Sequence, residues 1–179
     1  MKVSLNWLRD YIDIDLTPER LAHRLTMAGL EVESIDRVSP GFTGVVVAKI
    51  RAVRPHPQGG KLSLCEVATG SGTVPIVCGA PNVREGILVP LAKVGATIPG
   101  GYTIKSSRIR GEISEGMLCS EEELGIGEDA AGIMVLPETL HPGQDLAAAL
   151  NLEDTVLEVS ITPNRPDCLS ILGIAREVA

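Results

Sequence analysis

Hydrophobic and polar residues follow three different patterns along the chain. Residues 1–39 carry apolar side chains at helical spacing, and a strand is predicted at its end, from Leu30 to Val38. Residues 45–109 are rich in Val and Ile and alternate between apolar and polar positions, which predicts short β-strands. Residues 120–179 return to short helices and one further strand, from Thr155 to Ile161. The pattern predicts a β-rich centre between two mixed flanks.

Capping signals predict where the first helices begin and end. Ser4 precedes the first apolar helical run. Thr17 and Pro18 begin a second helix, which Gly29 ends and whose buried face is predicted to consist of Leu21, Leu25 and Ala28.

Three further helices are predicted in the last third of the chain. Residues 120–123 form a capping box that opens a short helix ended by Gly125, and Asp145 caps a helical turn ended by Asn151. Asp167 is predicted to cap the last helix, which runs from Cys168 to Ala179 and has apolar residues at Leu169, Leu172, Ile174 and Ala175.

Turns rich in Gly and Pro separate the central strands. Strands are predicted at 45–53, 62–68, 74–78, 87–93 and 102–109, and residues 133–136 are predicted to close a small barrel. The flanks are each too short to bury a core alone, so we expect them to pack together. The predicted fold class is α+β, with a barrel domain at 40–151 inserted into a small domain made of 1–39 and 152–179.

Charge is segregated along the sequence. The net charge is −7, yet residues 49–110 hold nine Lys and Arg against two acids, a local charge of +7. Residues 111–164 hold twelve acids and no Lys or Arg. Two interpretations stay open: the basic strands present one positive face to a nucleic acid, or the two segments pair with each other on the surface.

Composition excludes several other classes of protein. Four aromatic residues are too few for the stacking platforms of a dedicated single-strand binder. No apolar run is long enough for a membrane helix and no signal peptide is present, so we expect a cytoplasmic protein. The four cysteines lack zinc-site spacing, and the glutamates after Cys119 disfavour a thiolate nucleophile. Cys65 and Cys78 are predicted to be buried strand residues.

Two stretches resemble a known module. HPQGGKLSLCEVATGSGTVPIVCGAPNV (56–83) and RGEISEGMLCSEEELGI (110–126) are similar to the tRNA-binding OB-fold modules of several aminoacyl-tRNA synthetases. The flanking stretches SLNWLRDYIDID, LAHRLTMAGLEVE and LEVSITPNRPDCLSILGIAREVA extend this resemblance to the N-terminal region of the bacterial phenylalanyl-tRNA synthetase β subunit. One departure is Gln58-Gly59-Gly60, which replaces the usual acidic turn of that family.

The resemblance implies an OB-fold barrel inserted into a small helix-rich domain. It also implies a cytoplasmic heterotetramer of two α and two β subunits that attaches phenylalanine to tRNA with ATP and magnesium, both bound by α. The partners it implies are tRNA, the α subunit and the rest of β, with no membrane. No catalytic residue, metal or cofactor is expected in these residues, and we expect residue 179 to end only a part of a longer chain.

Candidate residues for contacts with tRNA phosphates follow from charge and motif together. Lys61 and Arg110 lie in the matched motifs and are the first candidates; the others are Arg108, Lys105, Lys93, Arg84, Lys49 and Arg51. A further set carries the motifs: Ser114, Gly116, Met117, Asn164 and Arg165. Ser114 is expected to bond local backbone and Met117 to fill the barrel, while Asn164 and Arg165 either form a turn or contact tRNA or a partner.

Two alternatives to auxiliary tRNA binding remain. In the first, the region is a structural docking element of the synthetase with no RNA contact. In the second, it is a free-standing OB-fold RNA-binding or chaperone module, which would not need the flanking segments.

Overall fold

The computed structural model describes residues 1–179, which divide into two compact units: unit 1 is Met1–Ser39 with Glu153–Ala179, and unit 2 is Pro40–Leu152. The strands are β1 (Lys2–Ser4), β2 (Val32–Val38), β3 (Thr43–Pro55), β4 (Ser63–Ala68), β5 (Thr73–Cys78), β6 (Leu88–Ile98), β7 (Tyr102–Thr103), β8 (Ser107–Ile109), β9 (Glu112–Ser114), β10 (Gly116–Leu118) and β11 (Asp154–Val159). The helices are α1 (Leu5–Arg9), α2 (Pro18–Met27), α3 (Glu121–Leu124), α4 (Leu146–Ala149) and α5 (Ile171–Val178), with a 3₁₀ turn at Pro166–Cys168. None of these helices has the length and apolar composition needed to cross a membrane.

A three-stranded antiparallel sheet organises unit 1. β11 lies in the middle and pairs with β1 on one side and β2 on the other, so that Leu157 faces Val3 and Ile35. The core draws on both ends of the chain, including Leu5, Leu21 and Ile174. The two flanking segments, 1–39 and 153–179, therefore share one core. The unit is therefore mixed, whereas the sequence predicted a helix-rich domain and missed β1.

The caps of α1 and α2 follow the sequence. Ser4 Oγ accepts the backbone N–H of Trp7 at 3.0 Å, and Thr17 Oγ1 accepts that of Arg20 at 3.4 Å. The prediction that Ala28 lies on the buried face of α2 is wrong. Ala28 is the exposed C-cap, because the helix ends at Met27, and Ala22 takes a place in the core instead.

The last helix begins later than predicted. Asp167 does not cap it; Ser170 does, accepting the N–H of Gly173 at 3.0 Å, since the Asp167 carboxylate is engaged by Arg165. The later start rotates the buried face onto Ile171, Ile174 and Ala175. The predicted apolar positions Leu169 and Leu172 are consequently 63% and 46% exposed.

Unit 2 is built on an antiparallel sheet with the strand order β10-β6-β3-β4-β5, and β7 extends β6. β3 is buried on both faces: Val45 and Val47 lie in a core with the α3 and α4 residues, whereas Val46 and Ala48 face a second core shared with β4 and β5. The register of β3 shifts between Ile50 and Ala52, so Arg51 occupies a bulge. The sheet is therefore the middle layer of the unit.

Three predictions about these strands need correction. Residues 133–136 form no closing strand, only a single bridge between Leu88 and Leu136. The predicted strand 102–109 is interrupted and yields β7 and β8. The sheet does not close into a barrel, because no ladder joins its end strands β10 and β5. The three-residue strands β9 and β10 were missed because such short segments carry no readable periodicity.

The short helices of unit 2 are capped as the sequence predicts. Ser120 and Glu123 form a complete capping box, and Gly125 ends α3 with a φ of +66°. Asp145 accepts the N–H of Ala148 at 3.1 Å at the start of α4. These caps fix Leu124 and Leu146 in the core beneath β3.

Candidate nucleic-acid interface

The turn between β3 and β4, residues 56–62, is organised by His56. Its backbone N–H donates to the carbonyl of Leu62 at 3.0 Å, and its own carbonyl accepts the N–H of Gly59 at 2.8 Å. The imidazole Nδ1 accepts the N–H of Gln58 at 3.1 Å. His56 is 3% exposed, so the turn is built around a buried ring while Lys61 stands exposed beside it.

The hairpin formed by β8 and β9, residues 107–114, has a two-residue turn. Ile109 pairs with Glu112, and the two residues between them, Arg110 and Gly111, have φ angles of +48° and +92°. Positive φ at both central positions defines a type I′ turn, which matches the twist of the flanking strands. The hairpin therefore projects Arg110 at its tip, in a conformation that is unfavourable for a residue with a side chain.

The β3–β4 turn and the β8–β9 hairpin meet, and together we call them the turn–hairpin site. His56 Nε2 lies 3.3 Å from the carbonyl oxygen of Ile109. The Nη1 atom of Arg110 lies 3.3 Å from the point where a Cβ on Gly60 would stand. The structure thus brings together the two sequence motifs, with Lys61 and Arg110 next to the contact.

Ser114, Gly116 and Met117 connect the hairpin to the sheet. Ser114 Oγ, buried at 1% exposure, accepts the N–H of Val77 at 3.1 Å and donates to the carbonyl of Gly116 at 3.0 Å. A Cβ on Gly116 would lie 2.7 Å from the carbonyl oxygen of Ala92, so only glycine fits there. Met117 is half-buried against the core of α3 and α4. These three residues are structural, and they fix the base of the hairpin.

The eight basic candidates have no acidic partners. In unit 2 the structure contains a single ion pair, between Arg54 and Glu66 at 3.1 Å, and none of the candidates takes part in it. The candidates without an acid within 4.0 Å are Lys49, Arg51, Lys61, Arg84, Lys93, Lys105, Arg108 and Arg110. The alternative that the basic and acidic segments pair on the surface therefore finds no ion pair to support it.

The acidic segment has other roles. Several of its carboxylates accept backbone N–H groups: Glu123 caps Ser120 at 2.8 Å, Asp129 accepts from Ala131 at 2.8 Å, and Asp145 caps α4. Such acceptors complete helix starts and turns, where a carboxylate is also favoured by the helix dipole. These three acids therefore serve the backbone, and none of the acids in residues 111–164 forms an ion pair with a basic candidate.

The candidates do not all lie together. Arg51 and Arg84 flank the point where the N–H of Gly86 binds the carbonyl of Ile50 at 2.8 Å. Lys93 lines a shallow cleft with Ser106, the residue after Lys105. Two candidates remain: Arg108 lies exposed in β8, opposite Ile113, and Lys49 is half-buried in the middle of the sheet. Among the eight candidates, Lys61 and Arg110 are the two that lie at the turn–hairpin site.

Arg165 is engaged within unit 1. Its guanidinium lies 2.9 Å from Asp167, 2.7 Å from Glu177 and 3.0 Å from the sulfur of Cys168. The hydrogen bond from Arg165 lowers the pKa of Asp167 to about 2. Asp167, Cys168 and Glu177 are residue types that bind metal ions, and their ligand atoms lie close together. The Arg165 guanidinium already occupies the space between them. Arg165 joins its loop to α5, while its neighbour Asn164 is exposed.

The cysteines are buried, as predicted for Cys65 and Cys78. Burial raises the pKa of the Cys65 and Cys119 thiols to about 12. A nucleophilic cysteine requires the opposite shift. Cys119 therefore has the properties of a core residue.

Sequence reasoning missed His56 as the residue that organises the turn–hairpin site. The histidines were treated only as possible zinc ligands, although His56 opens the motif that ends in Lys61. The sequence feature that could have indicated this role is the position of His56 at the end of a strand, directly before the turn that begins at Pro57. Its partner Ile109 lies 53 residues away, and no local pattern indicates that contact.

Residues 45–145 match the model of the family described as putative tRNA-binding domain, and the chain belongs to that family. Along its whole length it is similar to phenylalanine–tRNA ligase β subunits. It is 66% identical over 179 residues to that of Syntrophus aciditrophicus and 54% identical over 180 residues to that of Bordetella bronchiseptica, covering 100% of this chain and 22% of each relative. The resemblance indicated by the sequence motifs is confirmed, and the chain spans about a fifth of the length of these relatives.

Among solved structures, a MetRS related protein from Pyrococcus horikoshii aligns with 57% of this chain and 87% of its own, at 19% identity and a TM-score of 0.44. That similarity is too low to carry a conclusion about the fold.

Proposed function

We propose that unit 2 binds the phosphate backbone of tRNA as an auxiliary module of a phenylalanine–tRNA ligase β subunit. The observation that carries this proposal is the set of eight basic side chains without acidic partners. An uncompensated cation gains more from a phosphate than a paired one, because no internal ion pair must be broken. The family match and the contact between the motifs in the turn–hairpin site support the same function.

The proposed contact positions tRNA without reading its sequence. Unit 2 contains two aromatic residues, and of these Phe42 is buried at 5% exposure while Tyr102 is 70% exposed. Base stacking therefore contributes little, and Lys and Arg contacts to phosphate dominate. Affinity is expected to be weak and to fall steeply with salt.

The finer assignments are also part of this proposal. We propose an open OB-type barrel for unit 2, which the five-strand order β10-β6-β3-β4-β5 and the two cores on either side of β3 support. The parent enzyme would contain an α subunit that binds ATP and magnesium and attaches phenylalanine to tRNA in the cytoplasm. In that arrangement these residues contribute no catalytic group and act on the affinity for tRNA.

The proposal is tested by a titration of labelled tRNA against the 179-residue chain. We expect binding at about 50 mM salt that weakens by at least tenfold at about 200 mM. In the complete α and β enzyme, alanine at both Lys61 and Arg110 should raise the KM for tRNA and leave kcat unchanged. Absence of binding at low salt, or an unchanged KM, would refute the function.

A docking role is the second candidate, and a different observation favours it. Unit 1 exposes large apolar side chains on and beside α1 and α5: Trp7 at 54%, Tyr11 at 50%, Leu169 at 63% and Leu172 at 46%. Because α1 and α5 pack against each other, these side chains lie on or beside neighbouring helices, and contiguous exposed apolar patches mark protein contacts. If docking is the sole role, replacing Leu172 by Ser weakens assembly of the complete enzyme, while the Lys61 and Arg110 variants have no effect.

A further inference from the structure

We infer that His56 is a positioning residue that holds Arg110 in place for phosphate binding; this inference rests on the proposed function. The ring is buried at 3% exposure and reaches from the β3–β4 turn to the β8–β9 hairpin. The structure contains no other hydrogen bond between the turn and the hairpin. His56 touches no solvent-facing surface itself, so it acts through Arg110.

The two hydrogen bonds of the ring determine its tautomer. The carbonyl oxygen of Ile109 only accepts, so Nε2 carries the proton and donates to it at 3.3 Å. The backbone N–H of Gln58 only donates, so Nδ1 is unprotonated and accepts at 3.1 Å. The ring is therefore neutral, and its orientation is fixed by Nδ1 bonding to the β3–β4 turn and Nε2 bonding to the β8–β9 hairpin.

The hairpin needs such a support at its tip. β8 and β9 have three residues each, and an isolated two-stranded hairpin is marginally stable in water. The base of the hairpin is fixed by Ser114, and the N–H of Glu115 donates to the carbonyl of Pro75 at 2.9 Å. At the other end, His56 binds the residue directly before Arg110. A fixed tip removes conformational entropy before binding, and this raises affinity without any new contact.

Two substitutions separate the two ring nitrogens. His56→Asn keeps an acceptor near Nδ1 and loses the donor to Ile109, whereas His56→Gln places an amide donor near Nε2. We expect His56→Asn to weaken tRNA binding about tenfold, and His56→Gln to restore most of the affinity. His23→Asn, at an exposed position of α2, is the matched control and should leave the affinity unchanged.

A second comparison tests whether His56 acts through Arg110. In an Arg110→Gln background, His56→Asn should weaken tRNA binding by less than about twofold, because the residue it positions has been removed. An equal loss in both backgrounds, or wild-type affinity of His56→Asn, would overturn the positioning role while leaving tRNA binding itself intact. Failure of the wild-type chain to bind tRNA would instead overturn the proposed function.

The tautomer supplies a test that needs no substitution. Nitrogen NMR of the wild-type chain should show His56 as the Nε2–H tautomer, with a ring proton that exchanges slowly with water. A predominant Nδ1–H tautomer, or a rapidly exchanging ring proton, would contradict the inference even if both variants failed to fold.

Discussion

The guanidinium of Arg110 lies directly against Gly60, with Nη1 3.3 Å from the position that a Cβ would take. The glycine has no side chain, and no acid lies within ion-pair distance of Arg110. Residues 58–60 are Gln-Gly-Gly, so this turn carries no carboxylate. Arg110 therefore has no carboxylate partner in this turn.

Gly60→Asp is expected to reduce tRNA binding about tenfold relative to Gly60→Asn. Both variants share the strain of a φ near +89° and nearly the same shape, so their difference isolates the charge. The carboxylate would pair with Arg110 and compete with phosphate. Fluorescence anisotropy with labelled tRNA at low salt measures the ratio.

The neighbouring glycine provides the control for simple repulsion. A Cβ on Gly59 has nothing within 4 Å, whereas a Cβ on Gly60 lies 3.3 Å from Arg110 Nη1, so an acid at residue 59 starts farther from the guanidinium. Gly59→Asp should therefore differ from Gly59→Asn by only about twofold, through long-range repulsion of phosphate. Equal ratios at residues 59 and 60 would show that pairing with Arg110 is not the cause.

Arg110→Asn is expected to stabilise the chain and weaken its binding. Arginine at a φ of +48° is strained, whereas asparagine tolerates this region, so we expect a gain of about 1 kcal/mol in the free energy of unfolding. The same change removes the cation at the hairpin tip and should lower tRNA affinity about tenfold. Thermal unfolding and tRNA titration of one preparation measure both; a loss of stability would contradict the strain argument.

The buried thiols predict how stability changes at alkaline pH. Cysteines ionise near pH 9 in the unfolded chain, whereas the pKa of Cys65 and Cys119 is raised to about 12 in the folded chain. The unfolded state therefore loses protons first, and stability should fall as pH rises from about 9 toward 12. Replacing Cys119 by Ala should make this decline shallower, as measured by urea unfolding at each pH. An unchanged slope would count against the buried-thiol explanation.

The pairing of Arg165 with Asp167 predicts an acid-side effect in unit 1. The pKa of Asp167 is lowered from an ordinary 3.8 to about 2, so its contribution is complete above about pH 4 and is lost as pH falls toward 2. Trp7 is the single tryptophan and lies in unit 1, so its fluorescence reports unfolding there. The wild-type chain should lose more stability between pH 4 and 2 than Asp167→Asn does. High salt should shrink the difference, because the pair is exposed.

Local signals in the sequence were sufficient for the elements whose boundaries are set by local chemistry. Ser4, Thr17, Ser120 and Asp145 each cap the helix predicted for them, because a capping hydroxyl or carboxylate acts within three residues. Asp167 is the exception, because its carboxylate binds the Arg165 guanidinium instead of the backbone N–H groups of the helix. Capping preferences do not take such a side-chain partner into account.

The remaining features depend on contacts between distant residues. Residues 133–136 have the composition of a strand, yet they are held by Asn82, which binds the N–H and carbonyl of Ile133 at 3.0 and 2.7 Å. The motif residues Lys61 and Arg110 were found from sequence, but the ring that joins their segments was not. Charge counts alone also left surface pairing open, because they do not show which acids and bases lie within ion-pair distance of each other.

The most direct test of the account compares two double variants, one lacking unpaired and the other lacking paired basic residues, that have the same net charge as each other. The double variant Lys61→Gln/Arg110→Gln removes two cations without acidic partners, and Arg37→Gln/Arg54→Gln removes two that pair with Glu19 and Glu66. The salt dependence of tRNA binding should become shallower by roughly 1.5 to 2 in log–log slope for the first variant and remain unchanged for the second. Equal effects of the two variants would show that tRNA responds only to net charge, and would contradict the account.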